Sequence, residues 1–404
     1  MDFTDTPAET EFRQTARAWI QDNAPAYLEA PLSGSGFGST RTGDFDPIAE
    51  AKKWQKTKAD AGWACIQWPK EYGGRGATPI ESVIWSQEEG VYGKLSGTFI
   101  IGQGMCAPTM MAYAGEEAKL RYLPKLASGE EIWCQLFSEP HGGSDLAGLR
   151  TKAVKDGDTW VINGQKIWTS GAQYADWMFA LVRTDPSAAK HEGISFVLLD
   201  MHQAGVTVKP IGLISGSSPF CETFLDNAMA HRADLVGELN KGWTIGKRLL
   251  QFERSGIGGL SGAANKKKAV KTNPLADIAK RYIGDHDGKI GNADYREKIL
   301  KHSMTERAFQ LTTSRVVQEN QSGQTPGATT SIFKLVGSTL ARDGAALKSE
   351  LMGAQGLGWE GEGFEDKEIE TTRGWLNARA VTIYGGTNEV QMNIIGKRVL
   401  GLPD

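Results

Sequence analysis

The sequence predicts an α+β protein of several domains, helical at both ends with a β domain between them. Two observations lead to this prediction. Apolar residues recur with a helical period in the N-terminal part and again after Gly242, whereas the middle consists of short β-rich runs separated by turn residues. A chain of 404 residues with 40% hydrophobic content can also bury more than one core. The predicted domains are an N-terminal all-α domain over 1–125, a middle β domain over 126–235 and a C-terminal helical bundle over 236–404.

The N-terminal domain is predicted to begin with a capped helix. Thr6 can serve as the N-cap and Pro7 suits the first turn. Four apolar residues then fall on one helical face, namely Phe12, Ala16, Trp19 and Ile20. A glycine- and serine-rich stretch within 31–47 interrupts the helical pattern and predicts a mobile loop.

The middle domain is predicted to be antiparallel and barrel-like, because hairpin signals recur at short intervals. Asp156-Gly157-Asp158 and Asn163-Gly164 both have the composition of hairpin turns. They would separate strands at 151–154, 159–162 and 165–168. Further strands are predicted over 177–183, 194–199 and 206–211. The helical period that returns after Gly242 continues to the end of the chain, and a helix through 379–384 is expected to stop at Gly385 and Gly386.

Composition excludes several classes of function. A formal net charge of −3 and a charged fraction of 23% leave no basic footprint for nucleic acid. No apolar run reaches the roughly 20 residues that span a bilayer, and the N-terminus lacks signal-peptide features, so we expect a cytoplasmic protein. The cysteines lack CxxC spacing, which favours buried thiols over disulfides or a metal site. No GxGxxG motif follows a predicted strand, so a Rossmann domain is disfavoured.

Several segments resemble the acyl-CoA dehydrogenase family of flavoproteins, and the resemblance covers nearly the whole chain. The central ones are Phe137-Ser138-Glu139-Pro140-His141-Gly142-Gly143-Ser144-Asp145, Asn163-Gly164-Gln165-Lys166-Ile167-Trp168-Thr169-Ser170 and Tyr384-Gly385-Gly386-Thr387-Asn388-Glu389. Gly62 to Gly74 and Val399 to Pro403 agree as well. The resemblance implies the family's α-β-α architecture, an FAD cofactor and the oxidation of an acyl-CoA thioester to a 2-enoyl-CoA.

The resemblance also assigns cofactor contacts. It implies that Phe137 and Ser138 face the flavin, and that Trp168, Thr169 and Ser170 form a second flavin-contacting strand. It places Trp168 against the ring and Ser170 near N5. Thr387 and Glu389 fall where the family contacts FAD, and a helix beginning at Thr387 would present amides to FAD oxygens or phosphate. Ser144 is either a contact to the CoA part of the substrate or an ordinary turn serine.

One departure from the family pattern moves the predicted catalytic base. Medium- and short-chain members have a glutamate directly after the tyrosine, where this chain has Gly385. The backbone N–H of Gly385 can still polarise the thioester carbonyl. Long-chain and isovaleryl-type members carry the base in a Glu-Arg pair early in the C-terminal domain, which here is Glu253-Arg254. On a helix, Glu253 shares the apolar face of Leu249 and Leu250, and partial desolvation strengthens a carboxylate as a base. Arg254 is either a substrate contact or a surface ion-pair partner.

A second departure concerns the FAD pyrophosphate. The Arg-x-x-Phe-Gly motif of many members is absent, and the region reads Asp294-Tyr295-Arg296, as in bacterial pimeloyl-CoA and sterol side-chain dehydrogenases. Arg296 is the candidate replacement. The resemblance implies an electron-transferring flavoprotein as electron acceptor and a homotetramer or heterotetramer. Two alternatives stay open, an acyl-CoA oxidase-like flavoprotein and a structural subunit that completes a partner's FAD site. Straight, branched, dicarboxylic and steroidal acyl groups all remain candidates.

Overall fold

The chain forms two compact units, each with its own core. This computed structural model describes residues 5–24, 46–90, 93–257, 273–321 and 330–403. One unit comprises Met1–Gly212 with Ser218–Glu253, and the other comprises Leu213–Ser217 with Arg254–Asp404. The three domain boundaries expected from the sequence stay a prediction. The glycine- and serine-rich stretch over 33–39 lies outside the described residues.

The helices of the first unit precede and follow its sheet. They are α1 (Pro7–Asn23), α2 (Pro47–Asp60), α3 (Pro79–Glu89), α4 (Gly93–Ser96), α5 (Ala107–Tyr113), α6 (Glu116–Ser128) and, as far as Glu253, α7 (Gly242–Ile257). The predicted start of α1 is confirmed, because the Thr6 hydroxyl accepts a hydrogen bond from the Glu9 N–H and the Glu9 carboxylate accepts one from the Thr6 N–H. Ala16 and Ile20 are buried on the predicted face.

In the described part of the first unit, the sheet has eight strands. They are β1 (Trp133–Leu136), β2 (Lys152–Asp156), β3 (Thr159–Ser170), β4 (Trp177–Arg183), β5 (Ile194–Asp200), β6 (Val206–Ile211), β7 (Phe220–His231) and β8 (Leu235–Val236). The order is β6-β7-β3-β2-β4-β5-β8, with β1 also on β4. Most neighbours are antiparallel as predicted, but β1 and β2 each pair with β4 in parallel, so the sheet is mixed. The strand predicted over 206–211 has the predicted bounds.

Of the two predicted hairpin turns, the one at Asp156-Gly157-Asp158 forms and the one at Asn163-Gly164 does not. The chain reverses at Gly157, which has a φ of +57°, between β2 and β3. The prediction of a second turn at Asn163-Gly164 is wrong, since β3 continues through it as a bulge opposite β7. Asn163 stabilises the bulge by accepting from the Asn227 N–H at 2.8 Å and donating to the Asn227 side-chain oxygen at 3.2 Å.

The second unit is mainly helical and contains one small hairpin. Its elements are α8 (Pro274–Tyr282), β9 (Asp285–His286), β10 (Lys289–Ile290), α9 (Ala293–Gln321), α10 (Thr330–Leu351), α11 (Asp366–Asn377) and α12 (Asn388–Ile394). One cluster of buried apolar residues in this unit comprises Leu275, Ala279, Ile290, Ile299, Leu347 and Leu351. The helix predicted over 379–384 is wrong in its extent, because only a single 3₁₀ turn, Ala380–Thr382, precedes the paired glycines.

The state of the cysteines and the character of the helices bear on the expectations drawn from composition. The four cysteines form no disulfide, and three of them are buried, whereas Cys65 is half-buried. Across the described part of the chain, no helix combines the length and the apolar character that crossing a membrane requires.

Candidate active site

An exposed tryptophan lies at the C-terminal end of β3. The ladder to β7 shifts register between Lys166 and Thr169, and within this shift Trp168 has a φ of +60°. As a result, Trp168 is 54% exposed, while the neighbouring Thr169 is completely buried. The Trp168 ring meets Phe220 edge to face at 6.2 Å between centroids. A large aromatic side chain turned out of a strand provides a flat apolar surface for a ligand ring.

The Phe137-Ser138 segment lies beside this part of β3. The Ile167 N–H donates to the Ser138 carbonyl at 3.0 Å, so the structure brings together the two segments predicted to contact a flavin. The Phe137 ring itself is buried and packs edge to face on Phe179 and Phe196. Any cofactor contact at Phe137 must therefore come from its backbone, whereas Ser138 is half-buried.

Gln135, on the preceding strand, is a residue that the sequence analysis missed. Its Oε1 atom is buried and accepts no hydrogen bond within the described part of the chain. Buried polar atoms are normally hydrogen-bonded, so an orphaned acceptor next to a predicted ligand segment indicates a donor that the described residues do not supply. No sequence signal could have identified it, because a half-buried glutamine in a short strand is an ordinary feature.

Glu253 lies on the buried face of α7. Gly246, Leu249 and Glu253 are spaced three and four residues apart and so share one side of the helix. Gly246 approaches the sheet so closely that a Cβ there would lie 3.0 Å from the Leu181 side chain of β4, and Leu249 is fully buried. Glu253 is half-buried, whereas Gln251 and Arg248 on the other side are exposed. The predicted helix and the predicted apolar face are thus confirmed.

In the second unit, the Gly385-Gly386 pair forms a tight turn before α12. Both glycines have positive φ values, +66° and +87°, a conformation that L-amino acids with a side chain rarely adopt. The fully buried Gln391 donates from Nε2 to both of their carbonyls, at 3.4 and 3.3 Å. Thr387 caps α12 as predicted, since its hydroxyl accepts from the Val390 N–H at 3.2 Å.

The carboxylate of Glu389 determines which ligand groups suit the N-terminus of α12. A hydrogen bond from its own backbone N–H, and then one involving the Thr387 hydroxyl, lower the pKa of Glu389. A carboxylate that is already hydrogen-bonded to its own amide repels a second anion and offers acceptor oxygens. The arrangement therefore suits a ligand hydroxyl group better than a phosphate.

Two of the remaining predicted site residues, Ser144 and Arg296, are exposed to solvent. Ser144 is exposed in the turn after Gly143. Arg296 is exposed on α9 and donates from Nη1 to the Ile290 carbonyl at 2.6 Å, which anchors the β9-β10 hairpin and uses one of its five N–H donors. The side chain of Arg254 lies outside the described structure. Among the described residues, no cluster of three His, Cys, Asp or Glu side chains could hold a metal ion.

The sequence matches three family models that together account for most of the chain. They are the acyl-CoA dehydrogenase N-terminal domain over residues 6–130, the middle domain over 134–228 and the C-terminal domain over 240–400. The chain belongs to the acyl-CoA dehydrogenase family. It is therefore an oxidoreductase that acts on CH–CH bonds, and its family is FAD-dependent.

Individual members of the acyl-CoA dehydrogenase family are similar over almost their full length. The acyl-CoA dehydrogenase IpdE1 of Mycobacterium tuberculosis is 35% identical, with 97% of each chain covered. Among solved structures, the Tcur3481-Tcur3483 steroid ACAD has a TM-score of 0.81 at 28% identity, with 100% of both chains covered. The ChsE4-ChsE5 complex of Mycobacterium tuberculosis has a TM-score of 0.76 at 28% identity, again with 100% of both chains covered.

The residues of this acyl-CoA dehydrogenase fit the cofactor of the family. Trp168 provides an exposed flat ring, and the orphaned Gln135 oxygen is an acceptor suited to an N–H at the polar edge of an isoalloxazine. Glu389 provides an acceptor suited to a sugar hydroxyl. Each of these features would find a partner in a bound FAD.

Proposed function

We propose that Glu253 is the catalytic base of this acyl-CoA dehydrogenase and that the Gly385 N–H polarises the substrate carbonyl. The observation that supports this most directly is the half-buried position of Glu253 on the sheet-facing side of α7, beyond the fully buried Leu249. A solvated surface glutamate would instead lie on the side of Gln251. The presence of glycine at 385 removes the other position at which the family carries a base.

The proposed reaction needs two contributions from the chain. Glu253 removes the proton from the carbon α to the thioester, and the Gly385 N–H donates a hydrogen bond to the thioester oxygen, on which negative charge develops. The turn that carries Gly385 is held by Gln391, so this donor needs little reorganisation. When bound, FAD supplies the acceptor for the hydride from the β carbon, and the product is a 2-enoyl-CoA.

We also propose, from the family resemblance, which residues would hold FAD. Ser138, Trp168, Ser170 and the backbone of Phe137 would hold the flavin, with Gln135 as an additional acceptor. Thr169, which the sequence also assigned to the flavin, is completely buried and would support this strand from within the domain. Thr387 and Glu389 would bind hydroxyl groups of the cofactor, and Arg296 remains the candidate for its pyrophosphate. Ser144 and Arg254 stay candidates for substrate contacts.

The decisive experiment is the anaerobic reduction of the FAD-loaded protein by a panel of acyl-CoAs. We expect wild type to lose its flavin absorbance with at least one straight, branched, dicarboxylic or steroidal acyl-CoA. Glu253→Gln should retain FAD but reduce it about 10²- to 10⁴-fold more slowly, the usual contribution of a positioned acid or base. Glu238→Gln, which replaces an exposed glutamate before α7, is the matched control and should react like wild type.

Dithionite reduction separates the possible outcomes. If Glu253→Gln binds FAD, is reduced by dithionite and still reacts with the acyl-CoA at the wild-type rate, Glu253 is not the base. If wild type also fails to react until a second chain is added, the protein is a subunit that completes a partner's site. Rapid peroxide formation in air would indicate an oxidase.

The electron acceptor and the assembly form the second part of the proposal. An electron-transferring flavoprotein would reoxidise the reduced cofactor, as the family resemblance implies. The ChsE4-ChsE5 structure is a complex, and we propose that this enzyme also assembles, as a tetramer of one or two kinds of chain. Light scattering of the purified chain, with and without a candidate second subunit, tests this.

A further inference from the structure

A completely buried lysine lies at the junction of the two segments that the proposed function assigns to the flavin. Lys166 is 0% exposed and precedes Trp168 by two residues, at the start of the bulge in β3. Its Nζ atom donates to the Phe137 carbonyl at 3.2 Å, the Leu181 carbonyl at 2.8 Å and the Glu139 carboxylate at 2.9 Å. These bonds use all three donors of the ammonium group.

The partner carboxylate is equally enclosed. Glu139 is 4% exposed, and its Oε1 also accepts from the Thr151 N–H at 2.9 Å and the Thr151 hydroxyl at 2.6 Å. Its Oε2 accepts from the Arg150 N–H at 2.7 Å. Burial opposes the charge on Glu139, but Lys166 and these donors outweigh that cost and hold the pKa of the carboxyl below its usual range. Burial lowers the pKa of Lys166, but its Nζ atom lies 2.9 Å from the Glu139 carboxylate, and the two side chains form an ion pair.

The position of this ion pair matters more than its strength. A buried ion pair is weak evidence for stability, since apolar residues of similar size often stabilise a core equally well. This pair joins the Phe137-Ser138 segment to β3 and β4 immediately before the bulge that turns Trp168 outward. The same two segments share one backbone hydrogen bond, from the Ile167 N–H to the Ser138 carbonyl.

We propose that Lys166 and Glu139 are positioning residues for the cofactor, because their ion pair fixes the distance between the Phe137-Ser138 segment and the bulge that carries Trp168. Neither side chain touches the cofactor or takes part in proton transfer. The proposal rests on the proposed FAD site. It concerns a different property, the geometry in which bound FAD is held, which can be measured without any substrate.

The test compares two isosteric variants of the full chain. Glu139→Gln leaves Lys166 without a carboxylate and should allow the two segments to separate. Glu89→Gln is the matched control, because Glu89 also forms a buried ion pair, in the helical part of the same unit. Glu89 accepts a hydrogen bond from Lys58 at 2.5 Å, and the side chains of Glu89 and Lys58 are only 13% and 5% exposed. Both variants should lower the unfolding midpoint.

The readouts are FAD affinity, from flavin fluorescence, and the visible circular dichroism of bound FAD, which reports how the flavin is held. We expect Glu139→Gln to bind FAD at least about tenfold more weakly, which corresponds to one hydrogen bond lost between the displaced segments and FAD, and to change the dichroism. Glu89→Gln should match wild type in both. If Glu139→Gln and Glu89→Gln behave alike in both readouts, the pair is purely structural and the proposal is wrong.

A double variant keeps the test decisive if Glu139→Gln folds poorly. Glu139→Gln combined with Lys166→Met buries no unpaired charge, so its unfolding midpoint should recover towards that of wild type. Its FAD affinity and dichroism should stay altered, because the bonds to the Phe137 and Leu181 carbonyls are lost. Recovery of FAD binding together with stability would overturn the proposal. A wild-type protein that binds no FAD would instead overturn the proposed FAD site.

Discussion

At the scale of single residues, buried charge in the helical part of the first unit depends on pH in a predictable direction. Glu88 accepts from Arg17 at 2.8 and 2.9 Å and from Arg13 at 3.1 Å, with only 5% of its side chain exposed. The hydrogen bonds from Arg17 lower the pKa of Glu88 from its usual 4.5, and the one from Arg13 adds to this against the opposing effect of burial. Its contribution to stability is thus present above pH 4.5 and is lost as the pH falls through the folded-state pKa.

We therefore expect Glu88→Gln to lower the free energy of unfolding by about 2 kcal/mol at neutral pH, the scale of hydrogen bonds to a charged group. The difference from wild type should shrink as the pH is lowered below 4.5. Urea unfolding at several pH values measures it. Glu71→Gln, at an exposed position, is the control and should stay close to wild type. A wild-type advantage that grows towards low pH would contradict the prediction.

At the scale of elements, the bulges of β3 show where a local sequence pattern fails to predict a turn. Asn163-Gly164 has the local composition of a hairpin turn, but the pairing of β3 with β7 forces it to continue. The sequence does not predict β7 as the partner strand, because several of its buried positions hold small or polar residues such as Cys221, Thr223 and Ala228. The buried Lys166 was unpredictable for a similar reason, since its partner Glu139 lies on a different segment.

The turn before α12 provides a prediction at the same scale. The backbone at Gly386 is left-handed, and an alanine held in that conformation is strained by about 1–2 kcal/mol. The Cβ atom of the alanine would also lie 2.5 Å from the Gln391 Nε2 atom. Gln391 is fully buried and could move only by giving up its bonds to the two glycine carbonyls. We expect Gly386→Ala to lower the free energy of unfolding of the apoprotein by roughly 1 kcal/mol more than the strain alone.

Gly361→Ala provides the matched control for this turn. Gly361 has a φ of +105°, but nothing lies within 4 Å of the position that its Cβ would take. Denaturant unfolding of both variants separates backbone strain, which they share, from the contact with Gln391, which only Gly386→Ala makes. Equal losses of stability in the two variants would show that Gln391 adjusts without cost.

At the scale of the whole molecule, the helix-sheet-helix order was predictable because each part has its own periodicity. The family was predictable because motifs such as Trp168-Thr169-Ser170 are specific. The structure adds what depends on tertiary packing, including the outward orientation of Trp168, the burial of the Phe137 ring and the clamp by Gln391. The orphaned Gln135 oxygen belongs to the same group, because a missing hydrogen-bond partner has no sequence signature.

The last prediction concerns the coupling of cofactor binding to folding. A ligand that binds only the folded chain stabilises it by an amount that grows with the logarithm of its concentration, about 2.7 kcal/mol at 100 times the dissociation constant and roughly 1.4 kcal/mol per further tenfold increase. We expect the melting temperature of the apoprotein to rise continuously with added FAD. FMN, which lacks the adenylate part, should give a smaller rise at equal concentration, because it has neither the pyrophosphate proposed to contact Arg296 nor the ribose hydroxyls of the adenosine. Differential scanning fluorimetry over a concentration series of both flavins measures this, and a melting temperature that does not change with FAD would contradict the proposed cofactor site.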